Sequence, residues 1–177
     1  MARKMKYVAI ALVTITIIFI YLYRLFSKDI LLSLSITFGV TSYHFCIRLL
    51  VGCLFNVTMK NHVDYNKTWY RVREKEQSFY EKVRVKKWKQ KMPTYDIDRF
   101  DPQKHSWDEI AQAMCQSELV HEINIIISFL PIVSHIWFGA LPVFVITSIL
   151  AACFDMLFVI IQRYNRPRII KILNRNL

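Results

Sequence analysis

The chain has 177 residues, of which 54% are hydrophobic, and it contains only three glycines and five prolines. A soluble domain of this length is usually less apolar, so the composition argues against a soluble globular protein. The formal net charge is +11, and a basic protein with many aromatic residues also raises the question of nucleic-acid binding. The apolar residues are clustered into long runs, however, and membrane spans with basic flanks explain the same charge better.

Four apolar runs follow one another along the chain, and each has about the 20 residues needed to cross a bilayer. We therefore predict an all-α fold, a four-helix transmembrane bundle that forms one integral-membrane domain over residues 1–177. The predicted spans cover residues 7–26, 30–55, 117–137 and 140–161.

The basic residues are distributed unevenly between the predicted loops. Thirteen lysines and arginines lie between Asn56 and Trp107, and five more lie from Arg163 onward, whereas the stretch between the third and fourth spans has none. The positive-inside rule then places the basic segment 56–107 and both termini in the cytoplasm. The sequence thus predicts a multi-pass protein of the cell membrane.

A basic amphipathic helix is predicted within this segment, over residues 69–92. Trp69, Phe79, Val83 and other apolar residues recur there at three- to four-residue spacing, with lysines and arginines between them. Such a helix lies in the headgroup region, with its basic side chains toward anionic lipid. Further on, Ser106 and Glu109 form a capping-box pattern, so the helix that leads into the third span should begin at Trp107.

Glu118 and His121 stand three residues apart at the start of the third span, on one helix face. Ionisable groups next to lipid mark functional sites by default, so the pair is a candidate general base with an orienting carboxylate. The same spacing also fits two polar residues that satisfy each other at a helix–helix contact. A di-iron site would need a second Glu-x-x-His motif, which the sequence lacks, so no metal is expected.

Residues 162–168 contain three arginines interspersed with other polar residues. Guanidinium groups bind phosphate or carboxylate through paired hydrogen bonds. A plain positive-inside anchor would require the arginines, but not Tyr164, Asn165 and Pro167 between them. The segment is therefore a candidate anion site.

Three segments carry a resemblance to a known family: residues 85–93 (VKKWKQKMP), 117–121 (SELVH) and 161–168 (IQRYNRPR). In order and separation they resemble the bacterial glycosyl-4,4'-diaponeurosporenoate acyltransferase family, which acylates a glycosylated carotenoid in staphyloxanthin-type synthesis. The resemblance implies transfer of a fatty acyl chain from an activated donor to a hydroxyl of a membrane-held glycolipid or glycosylated terpenoid.

The resemblance also suggests roles for individual residues. His121 would accept the proton of the attacking hydroxyl and Glu118 would orient it, Trp88 would lie beside the acyl chain, and Asn165 or Tyr164 would donate a hydrogen bond to the oxyanion. Basic residues would hold the donor's phosphates or the acidic face of an acyl carrier. The residues expected to bind substrate are Lys86, Lys87, Trp88, Lys89, Arg163, Tyr164, Asn165, Arg166 and Arg168.

No cofactor is expected apart from the acyl donor, which would be acyl-CoA or acyl-carrier protein. The expected partners are membrane lipids and a lipid-linked acceptor, with no nucleic acid, and the sequence leaves the oligomeric state open. The alternative function is a non-catalytic lipid-binding or assembly protein of an envelope pathway. An enzyme requires Glu118, His121 and the segment 163–168 to surround one site, whereas the alternative does not.

Overall fold

The computed structural model describes residues 2–92 and 98–175, and within these residues the chain is helical with no β-strand. The predicted all-α fold is therefore confirmed. The α-helices are α1 (Ala2–Phe26), α2 (Asp29–Thr58), α3 (Glu74–Lys82), α4 (Val85–Trp88), α5 (Trp107–Ile127), α6 (His135–Phe138) and α7 (Leu141–Leu173). Short 3-10 helices cover Thr68–Tyr70, Lys89–Lys91, Asp98–Phe100 and Leu130–Ser134.

Four stretches are long and apolar enough to cross a membrane, as predicted: Arg3–Phe26, Asp29–Thr58, Trp107–Phe138 and Leu141–Leu173. The third is not a single α-helix, because α5 gives way to a 3-10 helix with Pro131 near its start before α6 begins. The fourth continues well past the predicted limit at residue 161. Pro167 lies inside α7, so the arginine-rich segment 162–168 is part of this helix.

Residues with positive φ separate the spanning helices. Ser27 has φ 48° between α1 and α2, and its amide donates to the Tyr23 carbonyl at 2.8 Å. Gly139 and Ala140, with φ 65° and 53°, separate α6 from α7. Only glycine adopts this region without a steric cost, and Gly139 supplies it in the turn before α7.

The contacts divide the chain into two compact units. The first consists of residues 2–52 and 123–154. Its core is a small cluster of Ile36, Val40 and Phe144, while large apolar side chains such as Tyr7 and Ile17 are 60% or more exposed. Exposed apolar surface of this extent fits hydrocarbon surroundings better than water.

The second unit consists of the described residues of 53–122 and of 155–175, and it holds every predicted site residue. Two apolar clusters form its core: one of Val63, Tyr70 and Cys115, and one of Tyr80, Val85 and Tyr164. The interpretation of the chain as one integral-membrane domain stays a prediction.

The basic segment folds differently from the single helix predicted over residues 69–92. A 3-10 turn covers Thr68–Tyr70, and α3 and α4 are separated by Arg84, which is left-handed at φ 54°. Five residues turn a continuous helix by about 500°, which would put Val85 on a different face from Tyr80. Arg84 interrupts the helix, so the side chains that follow it point in a different direction from those of a continuous helix. Tyr80 and Val85 therefore belong to the same apolar cluster.

The predicted start of α5 is confirmed. The Ser106 amide and hydroxyl donate to Glu109 Oε2 at 2.8 and 3.1 Å, and the Glu109 amide donates to Ser106 Oγ at 3.2 Å. This reciprocal pair is the capping box that the sequence indicated.

Candidate functional site

Glu118 is the centre of a buried ion-pair network between α5 and α7. Its Oε1 accepts from Arg163 Nη1 at 2.6 Å, and its Oε2 accepts from Arg166 Nη1. The side chains of Glu118 and Arg166 are both 0% exposed. Buried charges are costly unless they are paired, and here one carboxylate neutralises two guanidinium groups only in part.

Glu76 supplies the second carboxylate of the network. Arg163 binds it through two parallel hydrogen bonds, from Nε at 2.5 Å and from Nη2 at 3.2 Å. The network therefore contains two carboxylates and two guanidinium groups, and their charges balance.

Backbone carbonyls complete the network. Arg163 Nη1 also donates to the Trp69 carbonyl at 3.3 Å, and Arg166 Nη2 donates to the Tyr70 carbonyl. The two arginines thus tie the 3-10 turn Thr68–Tyr70 and the start of α3 to the two long helices. We expected these arginines to bind the donor's phosphates, but both instead bind carboxylates and backbone carbonyls of the chain itself.

The electrostatics of α3 follow from this network. Burial alone would raise the pKa of Glu76, but hydrogen bonds from Arg163 and Tyr80 outweigh it and lower the pKa below its ordinary value of 4.5. Burial, followed by the bond to Glu76, raises the pKa of Tyr80. Burial also raises the pKa of Tyr70 to about 12. At neutral pH the segment therefore presents an ionised Glu76 and two neutral phenols.

His121 pairs with Asp155 of α7. Its Nδ1 lies 2.8 Å from Asp155 Oδ1, and its ring stacks on Phe158 with 4.6 Å between the centroids and 10° between the planes. The Asp155 side chain is 0% exposed and that of His121 is 20% exposed. The expected orienting role of Glu118 thus needs correction, because both oxygens of Glu118 are bound to arginines and Asp155 is the carboxylate at the imidazole.

A second group of predicted residues surrounds the Tyr164 ring. Lys89 Nζ donates to Asn165 Oδ1 at 2.5 Å and lies 5.1 Å from the ring centroid of Tyr164. Arg168 donates from Nη2 to the Tyr164 hydroxyl at 2.7 Å, and its guanidinium carbon lies 4.5 Å from the same centroid. The exposed side chains of Lys86 and Lys87 lie on the adjoining α4.

Trp88 is partly buried and packs against the edge of an apolar cluster. Its Nε1 donates to the Val83 carbonyl at 3.2 Å, and it packs against the cluster of Tyr80, Val85 and Tyr164. The expected place of Trp88 beside an acyl chain stays a prediction.

The oxyanion role suggested for Tyr164 and Asn165 does not fit the geometry. Tyr164 follows Asp155 by nine residues on α7, a rise of about 14 Å. An oxyanion donor has to lie about 3 Å from the reacting oxygen, next to the base. These two residues therefore belong to a different part of the site from the His121–Asp155 pair.

Two residues of the site went unassigned at the sequence level. Glu76 looked like one of several surface acids of an amphipathic helix, and nothing in its spacing pointed to Arg163. Asp155 did carry a signal, because a lone aspartate in an apolar run requires a polar partner. The identity of that partner depended on helix packing.

A model of the family described as glycosyl-4,4'-diaponeurosporenoate acyltransferase matches residues 65–175, which is more than half of the chain. The match includes the ion-pair network of Glu118, the His121–Asp155 pair and the residues around Tyr164. The family name suggests acyltransferase activity in a carotenoid glycolipid pathway. No curated protein and no solved structure shows significant similarity to the chain.

Glu118→Gln should destabilise the protein by about 3 kcal/mol, because it leaves the buried Arg166 without its counter-charge. The measurement is the thermal unfolding temperature of the purified protein in detergent. Glu74→Gln is the matched control, since it makes the same chemical change at an exposed position of α3. Equal unfolding temperatures for Glu118→Gln and Glu74→Gln would contradict the assignment of a buried charge network.

Glu76→Gln should make the protein less sensitive to acid. The folded-state pKa of Glu76 lies below 4.5, so its contribution to stability is complete above that pH and is lost as the pH falls through the lowered pKa. Unfolding temperatures of wild type and variant, followed from about pH 6 to about pH 3, should therefore converge at low pH. A constant difference across that range would contradict this coupling.

Proposed function

The chain belongs to the glycosyl-4,4'-diaponeurosporenoate acyltransferase family, and we propose that it esterifies a hydroxyl of a membrane-held glycosylated terpenoid or glycolipid, with His121 as general base. The observation that carries this proposal is the 2.8 Å contact between the partly exposed imidazole of His121 and the fully buried carboxylate of Asp155. Asp155 is the positioning residue, because it acts on the substrate only through His121.

The arrangement of the pair suits proton transfer. A carboxylate at Nδ1 holds the tautomer in which Nδ1 carries the proton, which leaves Nε2 free to accept one. Stacking on Phe158 fixes the ring plane, and the buried carboxylate is ready to stabilise the imidazolium that forms. The 20% exposure of His121 gives a substrate hydroxyl access to the ring.

In the proposed reaction the acceptor hydroxyl attacks the acyl carbonyl while His121 Nε2 takes its proton. The tetrahedral intermediate then collapses, the bond between the acyl carbon and the leaving group breaks, and the imidazolium returns the proton to the leaving group. One ester bond forms, one acyl–donor bond breaks, and His121 is regenerated. General base catalysis of this kind contributes about 10²–10⁴-fold.

The ion-pair network of Glu118 supports this proposal indirectly. Glu118 lies one helical turn before His121 on α5, and its partners lie on α7, the helix that carries Asp155. The ion pairs of Glu118 therefore limit sliding and rotation of α5 against α7. Such motions would break the His121–Asp155 contact. Catalytic geometry tolerates displacements of only a fraction of an ångström.

His121→Ala should lower acyl transfer by about 10²–10⁴-fold without unfolding the protein, because it removes the proton acceptor. The assay follows ester formation on a glycosylated terpenoid in membranes that contain the variant. His62→Ala is the matched control, because it removes an exposed imidazole from a loop. Full activity of His121→Ala would exclude the base assignment. Absence of acyl transfer by the wild type itself would favour the alternative, a non-catalytic lipid-binding or assembly protein.

Asp155→Asn should lower kcat on the order of 10²-fold and leave KM nearly unchanged, because the amide no longer holds the reactive tautomer. Asp155→Glu should recover part of the lost kcat, since it restores a carboxylate. A purely structural role predicts a different pattern, in which both variants lose folded protein and the specific activity of the remaining folded fraction is unchanged.

A further inference from the structure

Two sets of basic side chains in the second unit differ in how their charge is balanced. Arg163 and Arg166 are neutralised by Glu76 and Glu118. Lys89 and Arg168 have no carboxylate partner among the described residues. Their partners are neutral oxygens and one phenol ring: the side-chain amide of Asn165 and the ring and hydroxyl of Tyr164.

Placing two cations on one phenol ring creates an unbalanced positive field. Burial and the neighbouring charges of Arg168 and Lys86 lower the pKa of Lys89 below its ordinary value. Like charges at this spacing repel each other, and without an anion the arrangement is unfavourable. A bound anion would relieve the repulsion, so the cluster has the electrostatics of an anion site.

A surface groove of about 320 Å³ lies beside this cluster. It is lined by Glu81, Arg84, Val85, Lys86, Lys87 and Tyr164. Among the described residues that line the groove, Glu81 is the one acidic group, whereas Arg84, Lys86 and Lys87 are basic. Arg84, whose left-handed backbone separates α3 from α4, is one of the residues that line this groove.

The groove lies far from the proposed base. Arg168 follows Asp155 by 13 residues on α7, a rise of about 20 Å, and the two residues lie on different faces of the helix. An anion bound at Arg168 therefore cannot be the reacting group. An anion there that belongs to the acyl donor would be the distal end of a long and flexible ligand whose other end reaches His121.

We propose that Lys86, Lys89 and Arg168 bind the phosphate of a pantetheine thioester, so that the extended pantetheine arm carries the acyl group to His121. This inference rests on the proposed acyl transfer. In the reaction the thioester carbon–sulfur bond breaks, the ester carbon–oxygen bond forms, and His121 passes the hydroxyl proton to the sulfur, which leaves as the thiol. The phosphate has two possible sources, coenzyme A or the prosthetic group of a carrier protein.

The test measures binding of coenzyme A to the full chain in lipid nanodiscs by isothermal titration calorimetry. We expect binding by the wild type and a Kd raised tenfold or more in Lys89→Gln and in Arg168→Gln. Lys75→Gln, which removes one positive charge from an exposed position on α3, is the matched control and should keep the wild-type Kd. Phosphopantetheine should compete with coenzyme A, and pantetheine without the phosphate should not.

Holo acyl-carrier protein, in place of coenzyme A, identifies the second source. Binding of the carrier alone, with the same loss in Lys89→Gln and Arg168→Gln, supports the phosphate subsite and assigns the phosphate to the carrier. If neither probe binds, or if both variants keep the wild-type Kd, the inference is overturned. It is also overturned if both variants keep the wild-type Kd for coenzyme A and differ from the wild type only in how much phosphatidylglycerol copurifies with them, because the cluster then binds lipid headgroups.

The proposed function and this inference fail in different ways. His121→Ala should still bind coenzyme A or the carrier with the wild-type Kd, because its imidazole lies at the other end of the arm. Acyl transfer by a wild-type protein that binds neither probe would leave the proposed function intact and refute the pantetheine donor.

Discussion

The pairing of Glu118 with Arg163 and Arg166 is the interaction on which the geometry of this site depends. All three charges lie on the long helices α5 and α7, and a carboxylate and a guanidinium group that are fully buried cannot separate without several kcal/mol of desolvation cost. A buried ion pair adds little net stability over a well-packed apolar contact. Its role here is to position the two helices, because it fixes which residues of α5 face which residues of α7.

Because these ion pairs fix how α5 faces α7, two clusters with different electrostatics form along α7. Near the ion pairs of Glu118, the partly exposed imidazole of His121 contacts the buried carboxylate of Asp155, an arrangement that suits proton transfer. Further along α7, Lys89 and Arg168 share the ring of Tyr164 without a balancing carboxylate, which suits binding of an anion. Along the helix axis Tyr164 and Arg168 lie about 14 Å and about 20 Å beyond Asp155, and this separation is a physical reason to expect a long substrate.

Local patterns in the sequence predicted the features that depend on neighbouring residues. The four spans and the capping box at Ser106 follow from the length of apolar runs and from a three-residue spacing, so they were recognisable. The partner of His121 was not, because Asp155 lies 34 residues away, and the spacing favoured Glu118. The break at Arg84 was also missed, although the offset between Val83 and Val85 was its visible sign.

Lipid mass spectrometry of cells with and without this chain tests the central claim, that it acylates a membrane-held glycosylated lipid, most directly. The account predicts that cells with the chain contain an ester of a glycosylated terpenoid or glycolipid, heavier than its precursor by one fatty acyl group. Cells without the chain should accumulate the unacylated precursor. Identical lipid profiles in the two kinds of cells would contradict the account.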